Sequence, residues 1–173
     1  MSDQAECLGM MFLSFQKICH AMQLNLGPDL DKICDGLALD AWYPLSLYRR
    51  LLGLVATAYP TPGPVFERVG IETSKHVAGE NGPDYLHLRA ADFLRFNVAV
   101  YAQVTRGPVD EVGVLEIVSM NEAEGRATIH STSCIPRDLE RGFYIGGLEM
   151  VPDIGFINVV TDHAAGLHHV EFH

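Results

Sequence analysis

The sequence is short of positive charge: 12 Lys and Arg stand against 22 Asp and Glu over 173 residues, a formal net charge of −10. Its longest basic run is the pair Arg49 and Arg50. A surface of that sign repels phosphate backbones and anionic lipid, which excludes nucleic-acid binding through a basic patch. No apolar run approaches the roughly 20 residues that a membrane helix requires, so no membrane insertion is expected. The cysteines Cys7, Cys19, Cys34 and Cys134 form no CxxC pair, so their spacing offers no metal knuckle, and a chain with this much core needs no disulfide framework. No glycine-rich phosphate loop follows a strand, and Ser131, Thr132 and Ser133 form no nucleophile elbow. The opening MSDQAE carries acids where an export signal carries positive charge, so the expected location is the cytoplasm.

What is present is apolar. Hydrophobic residues make up 48% of the chain, enough to build one core, and residues 1–173 read as a single α+β domain. Leu8, Met11, Phe12, Phe15, Ile18, Cys19 and Met22 recur at helical spacing and predict a helix over 5–23. Its face is rich in Met and Phe, which suits either a core or a protein–protein seam, and a homodimer is the expected use of such a seam. A short helix is expected over 29–37, and a longer one over 45–59 after Trp42, Tyr43 and Pro44. Pro60, Pro62 and Pro64 read as a stiff connector, followed by helices over 65–77 and 88–105. Gly79 to Pro83 reads as the stop between those two.

After Gly107 and Pro108 the pattern turns to strands. Runs over 112–120 and 126–133 flank a hairpin turn at 121–125. A helix over 136–150 and strands over 156–161 and 167–173 complete a β-β-α-β-β unit. Gly142 and Gly146 sit one turn apart on that helix, a device for close backbone packing. The expected architecture is therefore N-terminal helices packed on a small antiparallel sheet.

The C-terminal block, with Gly142, Phe143, Gly147, Leu148, Glu149, the Ile157–Val160 strand, Gly166 and Phe172, resembles the signature of the haem-NO-binding and vinyl-reductase-type sensor domains. Residues 37–40, Tyr43, Pro44, the leucine-rich helix and Tyr59–Pro60 are similar to an uncharacterised family of myxobacterial paralogues. The superfamily shares its architecture with a vesicle-tethering subunit of the Golgi trafficking machinery. The resemblance implies a non-enzymatic sensor or adaptor that binds a small apolar ligand or a protein partner, or else a purely structural interaction module. It does not name the cofactor. Zinc-bearing members place cysteines four residues either side of the turn glycine; here those positions hold Asp162 and Val170, and a valine cannot ligate metal. Haem-binding members carry a Tyr-x-Ser-x-Arg signature, which no register around Ile129–Cys134 supplies.

Several side-chain groups are candidates for chemistry. Trp42, Tyr43, Phe93, Phe96, Tyr101, Phe143 and Tyr144 line either a pocket or an ordinary core. The pocket reading takes Tyr43, Phe96, Tyr101 and Phe143 as ligand-binding, with His130 or Tyr101 fixing one polar atom. Asp162, His163, His168, His169 and His173 offer metal-ligand chemistry, but on an extended strand His169 and His173 share one face while His168 takes the other, so no metal site is assigned. His76 and His87 are the axial candidates if the protein is a haem protein. His130 and Cys134 lie roughly 13 Å apart along a strand, too far for a nucleophile pair. No catalytic residue is identified.

Overall fold

The computed structural model describes residues 4–80 and 87–173, the side chains of 78–80 excepted. The predicted stop at Gly79 to Pro83 lies largely outside the described residues. At the N-terminus the structure differs from the expected long helix. Glu6–Leu8 form a strand, β1, and the helix α1 runs only over Gly9–Ala21. Antiparallel partners flank β1 on both sides: β2 (Trp42–Pro44) and β3 (Thr105–Arg106). The periodicity of 5–8 serves a strand as well as a helix, and long-range pairing decides between them. The Arg106 guanidinium ties this small sheet together, lying 4.3 Å over the Trp42 ring and bonding the Glu6 carboxylate at 2.6 Å.

Helices α2 (Asp29–Cys34) and α3 (Leu45–Ala58) follow, at or slightly inside their expected limits. The connector expected at Pro60 to Pro64 is in part the first turn of α4 (Pro62–Glu80). Proline is tolerated there because the first turn leaves its N–H groups unpaired in any case. α5 spans Ala90–Val104, and a short helix, α6 (Val109–Val112), stands where a loop and the start of a strand are expected.

The second sheet comprises β4 (Leu115–Asn121), β5 (Arg126–Ser131), β6 (Ile157–Asp162) and β7 (Leu167–Phe172) in the order β4-β5-β7-β6, all antiparallel. Helix α7 (Arg137–Leu148) connects β5 to β6, completing the expected β-β-α-β-β unit. Inward residues alternate along the strands: Ala127, Ile129 and Ser131 on β5, His168, Val170 and Phe172 on β7. A register shift between Ile117 and Ser119 leaves Val118 bulged and exposed.

Buried side chains form two clusters. One gathers α1, α2, α3 and α4 around Phe12, Leu45, Leu51 and Val55; the other gathers α5, α7 and the four-stranded sheet around Phe93, Ile129, Tyr144 and Leu148. The apolar face of α1 is spent on the first cluster, with Phe12, Phe15, Ile18 and Cys19 all buried. The surface invoked for a homodimer is thus largely occupied within the chain. α7 joins the clusters. Its glycine ridge lies directly on α4: a Cβ at Gly142 would stand 2.1 Å from the Glu67 carbonyl oxygen, and one at Gly146 would stand 2.4 Å from that of Ile71.

Candidate functional site

Two cores that meet through α5 and α7 leave a seam, and the seam is open. A cavity of about 420 Å³ lies between α1, α4, α5 and α7, floored by Leu115 of β4 and Ile135. α1 contributes Met10, Met11, Ser14 and Phe15, and α4 contributes Thr73, Ser74 and Val77. α5 supplies the stripe Asn97, Val100, Tyr101 and Val104, spaced i, i+3, i+4, i+7, so one face of that helix looks into the space. Phe143 and Tyr144 of α7 close it. Met10, Met11, Phe96, Val100 and Phe143 are only half-buried where they border this space.

Three of the residues predicted to bind a ligand, Phe96, Tyr101 and Phe143, therefore lie on one cavity. Two do not. Tyr43 sits in β2, its ring edge-on to Phe12 with centroids 6.0 Å apart and its hydroxyl accepting the Ala38 N–H at 2.8 Å. The strand pairing missing from the sequence reading turns it away from the seam. His130 faces the opposite side of the sheet, because Ile129 and Ser131 point inward, and its Nδ1 lies 3.1 Å from Glu116 on the neighbouring strand. Tyr101 also has a structural task. Its hydroxyl donates to the Val112 carbonyl and accepts the Cys134 N–H at 3.2 Å, pinning the α6 turn against the loop after β5. Tyr101→Phe removes both bonds but leaves the Cys134 N–H on the Val112 carbonyl at 3.1 Å, and is expected to cost about 0.5–1.5 kcal/mol, measured as a lowered urea midpoint at unchanged slope.

Beneath the cavity lies a polar network absent from the sequence reading. Glu140 of α7 is 2% exposed, and it accepts from four side chains. Ser131 Oγ donates at 2.7 Å and Ser133 Oγ donates to the same oxygen. Arg137 Nη1 at 3.2 Å and His168 Nε2 at 2.9 Å reach the other. A carboxylate only accepts, so His168 Nε2 carries a proton, and in the neutral ring Nδ1 accepts from Thr161 Oγ1 at 2.9 Å. The Tyr144 ring stands edge-on to His168 with centroids 5.2 Å apart. The sequence signal was a serine pair just before the proline that opens a helix, an acid in that helix's first turn, and a histidine on the inward register of an apolar strand.

The remaining histidines are drawn apart. His169 lies 3.4 Å from Thr128, His163 lies 3.5 Å from Asp138, and His173 stacks on Phe156. The described residues bring together no group of three His, Cys, Asp or Glu able to hold a metal. Burial pushes the thiols of Cys7 and Cys19 up to about 12 and that of Cys34 to about 11, and it raises Cys134 as well. All four are thus protonated thiols at neutral pH, poor nucleophiles and poor metal ligands.

Haem, one cofactor the superfamily resemblance raises, requires an axial ligand such as His, Cys or Tyr, or a Met opposite a His. No histidine, cysteine, lysine or arginine is among the described residues of the cavity wall. His76 lies on α4 off the wall that Ser74 and Val77 form, and His87 is exposed. Tyr101 has its hydroxyl committed to Val112 and Cys134. Tyr48 and Tyr144 are buried, and that burial holds both phenols well above their ordinary range, against a phenolate ligand. Met10 and Met11 have no histidine opposite them among the described residues of the wall. The described wall offers no cation for haem propionates, and its one carboxylate is Glu140. Among the described residues of the wall, the donor set does not fit haem.

No known family pattern matches the chain, and no curated protein matches it by sequence. Solved structures do match. A mutant H-NOX domain of T. tengcongensis superposes with a TM-score of 0.66 at 14% identity, covering 95% of this chain and 96% of that one. A Cs H-NOX mutant carrying an unnatural amino acid gives 0.65 at 14% identity, covering 95% and 96%. An oxygen-binding H-NOX domain related to soluble guanylate cyclases gives 0.61 at 16% identity, covering 95% and 94%. At such identities the likeness speaks for backbone architecture alone. Over nearly its whole length, this chain has the H-NOX, or haem-NO-binding, fold.

Proposed function

We propose that the chain is a non-enzymatic sensor or adaptor domain that holds a small apolar ligand in the cavity between α1, α4, α5 and α7. The observation that carries this reading is the open seam itself: about 420 Å³ walled largely by apolar side chains that remain half-buried. Folded interiors pack to crystal-like density, so a space of this size calls for an occupant, and its volume falls in the range of small-molecule sites. Buried thiols and histidines tied into structural pairs argue against an enzyme. Among the described residues no helix is long and apolar enough to cross a membrane. An adaptor role would follow if occupancy altered the packing of α1 and α5, which form much of the wall.

The test is a thermal-shift screen of aromatic and lipid-like compounds, with co-purified small molecules identified by mass spectrometry. A ligand specific to the folded state stabilises by about 2.7 kcal/mol at a hundredfold excess over its dissociation constant. Val100→Trp, which projects an indole from α5 into the space, is expected to abolish the shift while leaving a folded protein. If no compound shifts the wild type and Val100→Trp is more stable than it, the space is a packing void and the purely structural module is the better reading.

A further inference from the structure

We propose that the ligand is an uncharged amphiphile, an alcohol, amide or ester on an apolar body, and that Asn97 is the residue that holds its polar head. The inference rests on the ligand-binding reading above and adds the class of ligand.

Asn97 stands in line with Val100, Tyr101 and Val104 on the cavity face of α5, the only amide in that stripe. An amide presents two donors and a carbonyl acceptor, and this one has no hydrogen-bond partner among the described residues. The other polar groups deeper in the wall are largely spent. Thr73 Oγ1 donates to the Val69 carbonyl at 2.7 Å, and Ser74 Oγ donates to that of Phe143 at 3.0 Å. Both Glu140 oxygens are taken by the donors from Ser131, Ser133, Arg137 and His168. Ser14 of α1 adds a hydroxyl, and Gln103 is solvent-exposed. The Tyr144 hydroxyl has no partner among the described residues but is fully buried, and Tyr48 is 2% exposed, so neither presents surface to an entering head group. The hydrogen-bonding capacity that a ligand can reach thus centres on the half-buried Asn97, which both gives and accepts.

Charge decides the rest. The described wall holds no lysine, arginine or histidine, and its one ionisable acid is Glu140. A carboxylate, sulfonate or phosphate head entering here would lose its water, meet no cation and face a carboxylate of like sign. An ammonium head would find the Glu140 oxygens already occupied. A hydroxyl or carbonyl loses less water and is repaid by one amide hydrogen bond.

The experiment titrates the wild-type chain with 1-octanol, octanoate and octylammonium at equal chain length, with toluene as an apolar control, by calorimetry or ligand-observed NMR. Octanol and toluene are expected to bind, and octanoate and octylammonium are expected to bind at least about a hundredfold more weakly than octanol. Asn97→Leu, close in volume, is expected to lower octanol affinity about tenfold and to leave toluene affinity within about twofold. Octanoate or octylammonium binding as tightly as octanol overturns the inference, as does octanol affinity that Asn97→Leu leaves unchanged, and either result leaves the ligand-binding reading standing. Should Asn97→Leu lose toluene as well, the wild-type series alone decides. If none of the four probes binds the wild type, the proposed function fails with the inference.

Discussion

Glu140→Ala is expected to cost the fold about 3–5 kcal/mol, the range for breaking a buried charged network from one side. The reason is what it leaves behind. Ser131 and Ser133 lose their acceptor, and the fully buried His168 keeps an Nε2–H with nothing to receive it. Arg137, itself mostly buried, loses its counter-charge. The same carboxylate ties the end of β5, the first turn of α7 and the inner register of β7 to one point, so its loss loosens the sheet from the helix. Glu116→Ala is the control: it removes the partner of His130 in an exposed pair, 31% and 61% accessible, and is expected to cost under about 1 kcal/mol. Urea unfolding of the two variants in parallel gives the comparison. Equal losses would mean that the Glu140 network is no more than a surface ion pair in energetic terms.

Gly142→Ala is expected to destabilise by about 3 kcal/mol, lowering Tm by about 10 °C for a chain of this size. The added Cβ would stand 2.1 Å from the Glu67 carbonyl oxygen and 2.9 Å from Gly70 Cα, and both are backbone atoms. No rotamer change relieves the clash; α4 and α7 must separate, and the cavity between them changes shape. Gly53→Ala has the opposite sign. Gly53 lies within α3, and a Cβ there meets nothing within 4 Å, so the substitution is expected to stabilise by about 0.4–1 kcal/mol through the unfolded chain's lost freedom. Thermal unfolding followed by circular dichroism separates the two. A neutral Gly142→Ala would show that the helices slide apart without loss.

Periodicity carried much of the fold. Runs such as Leu51, Leu52 and Val55 at helical spacing, or Ala127, Ile129 and Ser131 in alternation, bury the residues that their pattern implies, because a repeat matched to one element leaves a single face to hide. The same alternation placed His168 opposite His169 and so parted the terminal histidines before any contact was known. Short elements were not legible in this way. β1, β2 and β3 have three, three and two residues, too few for a period, and they exist because each supplies the others' hydrogen bonds. Missing them put Tyr43 in the pocket when its strand holds it against Phe12.

The sequence by itself determined the sign of the protein's charge and the order of its main elements. Net charge and local hydrophobic pattern are properties of neighbours along the chain, and they survive whatever the tertiary fold does. Only the tertiary structure decided the site. That Phe96, Tyr101 and Phe143 share one cavity, that Asn97 faces into it, and that Glu140 is buried among four donors all depend on how closely α7 rests on α4 and where the two cores fail to meet. Those are distances between segments far apart in the chain, set by a few glycines and by packing on both sides of α5 and α7, and no local pattern encodes them.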